Sequence, residues 1–376
     1  MSRAQVLTIH TKDPVLAADE AGLEYVSDRT PGIRRIKRGD SVRYVTPDGK
    51  VIKDPATLKR IRALVIPPGW TDVWICASAY GHLQAVGRDV KGRKQYRYHS
   101  AYRSQRDHAK FGRMLAFGAA LPRIRKRIDD DLSLPGLPKN KVLSAVLHLL
   151  ESTCMRIGND EYVKQNESYG LTTLQDGHVK ISGGKMRFKF RGKSGQQQDI
   201  ELDDPRLAKI VKKCRDIPGW ELFQYFDESG ESCRITSTDV NNYIREISGE
   251  DFTAKDFRTW GGTGWAALFF EELGPAEDDA DAKKRMVEAI KSVSAKLGNR
   301  PATCRKYYVH PAILDAYSDK TLFDVLKTCR GTRRQEACVI QVVTEYVKKL
   351  KDQQDLSGTL RKSLRRNSRQ PLRRRA

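Results

Sequence analysis

The sequence predicts an α+β protein. A small β-rich N-terminal domain precedes a larger, mostly α-helical domain that carries one inserted three-strand β-meander. Three observations predict it. Residues 33–46 alternate β-prone and charged side chains, the period of a strand. From Tyr102 onward apolar residues recur at helical spacing. Between Val179 and Leu202 the period returns to two before helices resume.

The elements follow in order. Ile33 to Thr46 is closed by a Pro47-Asp48-Gly49 turn. A short helix over Asp54 to Leu64 must stop at Ile66-Pro67-Pro68-Gly69-Trp70, because proline lacks the amide a helix needs. Val73 to Ala77 and Leu83 to Val86 read as strands, and Gly87 to Arg97 as a basic strand-loop-strand edge. Over Lys141 to Arg156, Val142, Val146, Leu149 and Thr153 share a helical face, which puts Arg156 near the helix end before Gly158. Val179 and Ile181 lead to a Gly183-Gly184 turn. Met186, Phe188 and Phe190 then alternate with Arg187, Lys189 and Arg191, and Asp199 to Leu202 forms the third strand. Asp281 to Leu297 is an amphipathic helix with Gly298 as its C-cap. The expected domains are 1–102, 103–360 and a basic disordered tail, 361–376.

The net charge is +22, from 69 Lys+Arg against 47 Asp+Glu. Eight of those charges sit in 361–376, where there is no acid, leaving +14 for residues 1–360. A body this basic attracts polyanions, chiefly nucleic acid or an anionic membrane surface. No stretch of 18 apolar residues is present to span a bilayer. The seven cysteines form no CxxC pair and no zinc-finger spacing, which fits reduced thiols in a cytosolic compartment. Met1 to Glu20 has no apolar core of a secretion signal, so a cytoplasmic location is expected.

Several chemistries are excluded by pattern. There is no G-x-x-x-x-G-K-[ST] loop, so ATP use is not expected. Gly262-Thr263-Gly264-Trp265-Ala266-Ala267 fits G-x-G-x-x-A, but Lys255-Asp256-Phe257-Arg258 before it is no apolar strand, which argues against a dinucleotide site. The histidines are scattered and no HExxH occurs. The acidic run from Glu271 to Asp281 suits a loop and first helical turn. Neither cofactor nor metal is expected.

What remains is cationic and phenolic. Met155-Arg156-Ile157-Gly158-Asn159, Phe190-Arg191-Gly192-Lys193, Lys255-Asp256-Phe257-Arg258-Thr259 and Leu297-Gly298-Asn299-Arg300-Pro301 precede Arg305-Lys306-Tyr307-Tyr308-Val309-His310-Pro311. Singly, each also fits a surface ion pair, a solvated turn or the edge of a basic helix. Together and in this order they resemble the type IB DNA topoisomerases, in the compact poxvirus-like branch found in bacteria. The resemblance covers roughly residues 30–350, with Ile66 to Trp70, Gly92 to Tyr98 and Asn159 to Leu174 as further landmarks. The order Arg, Lys, Arg, His-or-Asn, Tyr is shared with tyrosine recombinases; the β-rich N-domain and the Gly-Lys hairpin turn favour the topoisomerase.

The resemblance implies a metal- and ATP-independent DNA-relaxing enzyme. Tyr308 would be the nucleophile, forming a 3′-phosphotyrosyl link and releasing a 5′-hydroxyl. Exchanging one phosphodiester for another keeps the bond energy, so resealing needs no ATP. Arg156 and Arg258 would clamp the nonbridging oxygens, since guanidinium matches them and stays charged at neutral pH. Lys193 would be the general acid for the leaving oxygen. Asn299 stands where many relatives have His; its amide can donate a hydrogen bond but cannot titrate. Tyr308 rather than Tyr307 lies nine residues after Asn299, the family spacing. Gln95, Tyr96 and Tyr98 match DNA-contacting positions, and Lys255, sharing a helical face with Arg258, would touch a phosphate. The partner would be double-stranded DNA, clamped by a monomer's two domains, in a cytoplasmic, nucleoid-associated setting. The rivals are a tyrosine recombinase or integrase, and a catalytically silent architectural DNA-binding protein. Deleting 361–376 is expected to weaken DNA binding and flatten its salt dependence, by about 0.9 in log–log slope for each phosphate the tail neutralises, with cleavage chemistry intact. An unchanged slope in a salt titration would refute a DNA role for the tail.

Overall fold

The protein is seen in a computed structural model that describes residues 13–39, 41–103, 111–331 and 333–367. The chain divides into two compact units, Met1–Arg113 and Met114–Ala376.

The first unit is built on a five-stranded sheet. Helix α1 (Pro14–Glu20) precedes strands β1 (Ile33–Arg38) and β2 (Ser41–Val45), and helix α2 (Pro55–Ala63) precedes β3 (Thr71–Ile75), β4 (Leu83–Arg88) and β5 (Lys94–Tyr98). The order is β2-β1-β3-β4-β5, with every pairing antiparallel. Asp54 caps α2 by accepting from the Thr57 amide at 2.7 Å, and Pro55 occupies its first turn. β3 is buried on both faces. Val73 and Ile75 pack with Ile33, Ile61 and Ala85, while Trp74 and Cys76 pack with Leu83 and Val86. The proline loop that ends α2 is tied to β1, because Arg35 donates to Pro67 O at 3.1 Å and to Trp70 O at 2.6 Å. Tyr102 is buried with Ala17, Ala18 and Leu23, inside this unit's core.

The second unit is mostly helical. It runs α3 (Met114–Leu132), α4 (Lys139–Thr153), α5 (Asp160–Asn166), then strands β6 (Val179–Ser182), β7 (Lys185–Arg191) and β8 (Gln197–Asp203). After α6 (Pro205–Arg215) comes a short hairpin, β9 (Gln224–Phe226) and β10 (Ser232–Arg234). Helices α7 (Ser237–Ser248), α8 (Ala254–Leu273), α9 (Asp279–Leu297), α10 (Pro301–Tyr307), α11 (Pro311–Ser318), α12 (Thr321–Thr328) and α13 (Arg334–Asn367) complete it. Helix α13 thus enters the segment read from composition as a disordered tail; residues 368–376 lie outside the described ones.

The expected meander is present as an antiparallel sheet in the order β6-β7-β8. Met186, Phe188 and Phe190 are its buried face. On the outer face Arg187 grips Asp199 with two 2.7 Å bonds, Lys189 adds an ion pair at 3.2 Å, and these partners hold the Asp199 carboxyl down to about 2. Helix α8 is the centre of the unit, apolar on nearly every side, with α3, α4, α7, α9, α11, α12 and α13 packed against it. The Gly262-Thr263-Gly264 run lies inside this helix, so the G-x-G-x-x-A match is helix interior and not a phosphate-binding turn. One expectation needs correction. Helix α4 ends at Thr153, because Cys154 takes a left-handed conformation (φ 51°) with its amide on Leu150 O at 2.8 Å. Arg156 therefore stands beyond the helix, in a loop whose carbonyls are taken up by other amides: Leu171 N–H donates to Arg156 O at 2.8 Å and Thr172 N–H to Ile157 O at 2.7 Å.

Candidate active site

Helix α8 starts at Thr253, whose amide donates to Asp256 Oδ2 at 2.8 Å in a capping box. One turn in, Arg258 points into the core and is 4% exposed. A buried cation is costly unless its donors are satisfied. Arg258 Nη1 donates to Cys154 O and Nη2 to Leu297 O at 2.9 Å. These carbonyls stand at the C-terminal ends of α4 and α9, where helices leave their C=O groups unpaired and carry partial negative charge. The guanidinium also lies 5.0 Å from the centre of the Tyr308 ring. Burial, then the charge of Arg156, lower its pKa from the ordinary guanidinium value, while Tyr308 opposes that shift.

The other groups converge on the same place. Gly298 caps α9 in the left-handed region (φ 58°), and its neighbour's amide, Asn299 N, returns to Ser294 O at 2.9 Å. That turn buries Asn299, whose Oδ1 accepts from Arg156 Nη2. Arg156 Nη1 lies 3.5 Å from the Tyr308 hydroxyl. Helix α10 ends at Tyr307, so Tyr308 is its C-cap (φ −131°), and the two tyrosines part: Tyr308 is 9% exposed and Tyr307 38%. Burial pushes the Tyr308 phenol up, but the charges of Arg258 and Arg156 outweigh it and bring it below its ordinary value.

Two buried donors here, Arg258 Nε and Asn299 Nδ2, have no hydrogen-bond partner among the described residues. Buried polar groups are normally satisfied, so an acceptor brought by a ligand fits them. With two guanidinium groups beside them, the matching acceptor is an anion. Among the described residues no group of three or more His, Cys, Asp or Glu is placed to hold a metal ion.

The remaining residues named from sequence lie elsewhere. Lys193 sits on the exposed turn Lys193–Gly195 at the tip of the β7–β8 hairpin, outside the buried cluster. Lys255 is exposed while Arg258 is buried, so the two do not present one common surface. Tyr96 and Tyr98 project together from β5, 43% and 39% exposed, with ring centres 6.0 Å apart. Gln95 is on the opposite face of that strand and donates to Asp89 Oδ2 at 3.0 Å.

Sequence reasoning missed Thr263. Its hydroxyl is fully buried, accepts from the His310 amide at 3.1 Å, and faces Thr259 O at 2.8 Å and Tyr308 O at 3.3 Å. Beside it, a Cβ on Gly262 would fall 2.8 Å from Tyr308 O, so the chain carrying the phenol lies directly on this helix. The only sequence signal is the G-x-G run, which fits a dinucleotide motif more readily than a packing site. Thr263→Val removes the bonds at nearly constant shape and is expected to slow the cleavage that the sequence resemblance assigns to Tyr308 about 10- to 100-fold, with Thr263→Ser near wild type. Single-turnover cleavage of duplex DNA at saturating enzyme measures it; equal rates for both variants would dismiss the role.

The family described as eukaryotic DNA topoisomerase I, catalytic core, matches residues 99–330. That of the bacterial DNA topoisomerase IB N-terminal domain matches residues 41–89. The chain is 35% identical over 303 residues to DNA topoisomerase 1B of Acanthamoeba polyphaga mimivirus, covering 78% of this chain and 89% of that one. It is 25% identical over 283 residues to DNA topoisomerase I of Monkeypox virus and to DNA topoisomerase 1B of Vaccinia virus (strain Copenhagen), covering 73% of this chain and 87% of each. With both sequence halves matched and the cationic cluster gathered around one buried phenol, the chain belongs to the type IB DNA topoisomerases.

Proposed function

We propose that this enzyme relaxes supercoiled duplex DNA with Tyr308 as the nucleophile, Arg156, Arg258 and Asn299 as the phosphate site, and Lys193 as the general acid. The observation that carries the reading is the gathering of two guanidinium groups at a single buried tyrosine, with one unpartnered buried donor on Arg258 and another on Asn299, which Arg156 holds.

The steps balance as a transesterification. Tyr308 Oη attacks the phosphorus, its proton passes to solvent, and the 5′-oxygen leaves with a proton from Lys193. No carboxylate or imidazole bonds to Oη among the described residues. The two arginine charges favour the phenolate and so lower the cost of that deprotonation. As negative charge grows on the nonbridging oxygens, Arg258 Nε and Asn299 Nδ2 supply donors that need no rearrangement. Rotation of the cut strand about the intact one, then attack by the 5′-hydroxyl, restores DNA and Tyr308.

Binding to the duplex is read as the work of a monomer contacting DNA through both units. Tyr96, Tyr98 and Lys255 are exposed and suited to sugar, base-edge or phosphate contacts. Contact by Gln95 would exchange its bond to Asp89 for one to DNA.

Supercoiled plasmid without special sites, in EDTA and without ATP, is expected to be relaxed, and SDS to trap a 3′-linked adduct. Tyr308→Phe abolishes the adduct and Tyr307→Phe keeps it; the reverse pair of results overturns the assignment. Arg156→Ala is expected to slow single-turnover cleavage by about 10²–10³. In ultraviolet titration, the difference between wild type and Tyr308→Phe should show phenolate forming below the ordinary value of about 10. Arg156→Gln should move that inflection upward, since it removes a charge that favours the phenolate. An inflection that stays in place would separate Arg156 from the phenol.

A further inference from the structure

We infer that Gln198 is a positioning residue that sets the Lys193 turn against the Asn299 turn, an inference that rests on the reading of Lys193 as the general acid. The inner face of the β7–β8 hairpin is apolar at Met186, Phe188, Phe190, Ile200 and Leu202. Gln198, paired across the ladder with Phe190, is the one polar side chain at that end of the face. It is half-buried, and its amide makes one weak bond among the described residues, to its neighbour Gln197 O at 3.3 Å. A position that burial would fill with an aliphatic residue thus holds an amide that gains little hydrogen bonding there.

Its surroundings give the reason. A Cβ on Gly298 would lie 2.5 Å from both Nε2 and Oε1 of Gln198, so the amide rests on the left-handed turn that carries Asn299. At the other end, a Cβ on Gly192 would lie 3.1 Å from Gln198 Cγ. Gly192 immediately precedes Lys193 and closes the turn, with its amide on Gln196 O at 2.7 Å. The side chain therefore spans two glycines, one before Lys193 and one before Asn299. Lys193 must reach the leaving oxygen while Asn299 faces a nonbridging oxygen of the same phosphorus. A strut between their turns fixes that spacing, and Gly298, in the left-handed region that favours glycine, leaves the amide its place there.

The test compares leaving groups in single-turnover cleavage of a suicide duplex carrying either the natural 5′-oxygen or a 5′-bridging sulfur at the scissile bond. A thiolate leaves without a proton, so sulfur rescues a defect in general acid catalysis and leaves a defect in the phosphate site exposed. Gln198→Ala is expected to slow cleavage of the oxygen substrate about 10- to 100-fold, with DNA affinity and melting temperature near wild type. The sulfur substrate should restore its rate, and Gln198→Met, which keeps the length of the strut, should retain most activity on oxygen. Gln198→Ala combined with Lys193→Ala should be no slower than Lys193→Ala alone. An unimpaired Gln198→Ala, or one slowed equally on both substrates, overturns the inference. If Lys193→Ala itself is not rescued by sulfur, the general-acid reading falls and takes the strut with it. If Lys193→Ala is rescued and Gln198→Ala is not, only the strut falls.

Discussion

The catalytic unit is organised around one buried cation. Arg258 is held by carbonyls at the ends of two helices, and this single arrangement dictates much else. Helix α4 has to stop at Thr153 and turn left-handed at Cys154, helix α9 has to stop at Leu297, and α8 has to cross both ends. Each termination is also what releases the next functional group, Arg156 after the first and Asn299 after the second. The choice of partners matters electrostatically. A carboxylate would hold the guanidinium more firmly but neutralise it, whereas carbonyl dipoles satisfy its donors and leave the full charge in place. The neighbouring thiols do not compete for it either. Burial pushes Cys154 and Cys304 up to about 12 despite the pull of Arg258, so both stay neutral.

The site divides into a rigid part and an exposed part. Arg258, Asn299 and Tyr308 are buried among helices, with rotamers limited by packing and by the bonds just described. Lys193 is on a hairpin turn whose strands are braced from outside by the Arg187–Asp199–Lys189 cluster. The division suits the proposed chemistry. Stabilising a pentacovalent phosphorus needs donors already in place, while protonating a leaving group needs a long, solvated side chain that arrives with the substrate.

Much of this is legible in the sequence, for physical reasons that differ by element. The β7–β8 hairpin shows itself because one face is buried and the other is charged, which forces strict alternation. Helix α9 shows itself through its apolar stripe and Gly298. Arg156 reads as helical because nothing in Met155-Arg156-Ile157 signals that Cys154, a residue without glycine's freedom, turns left-handed; the carbonyl of that turn is held by Arg258, more than a hundred residues away. Gln95 is named with Tyr96 and Tyr98 through the family resemblance, which carries no information on facing; on the strand it points the other way from them, and its amide bonds to Asp89. Thr263 and Gln198 are silent because their significance lies in what they touch across the fold, and such contacts leave no local pattern.

The glycines of α8 have a consequence for anyone wishing to toughen the enzyme. Routine thermostabilisation replaces helical glycine with alanine for a gain of about 1 kcal/mol each, mainly by restricting the unfolded chain. Here that recipe would be misleading. A methyl at Gly262 would press on the backbone of Tyr308, 2.8 Å from its carbonyl oxygen. The central helix therefore keeps a lower intrinsic propensity so that Tyr308 can sit against it. Durability in this enzyme has to be sought at its periphery.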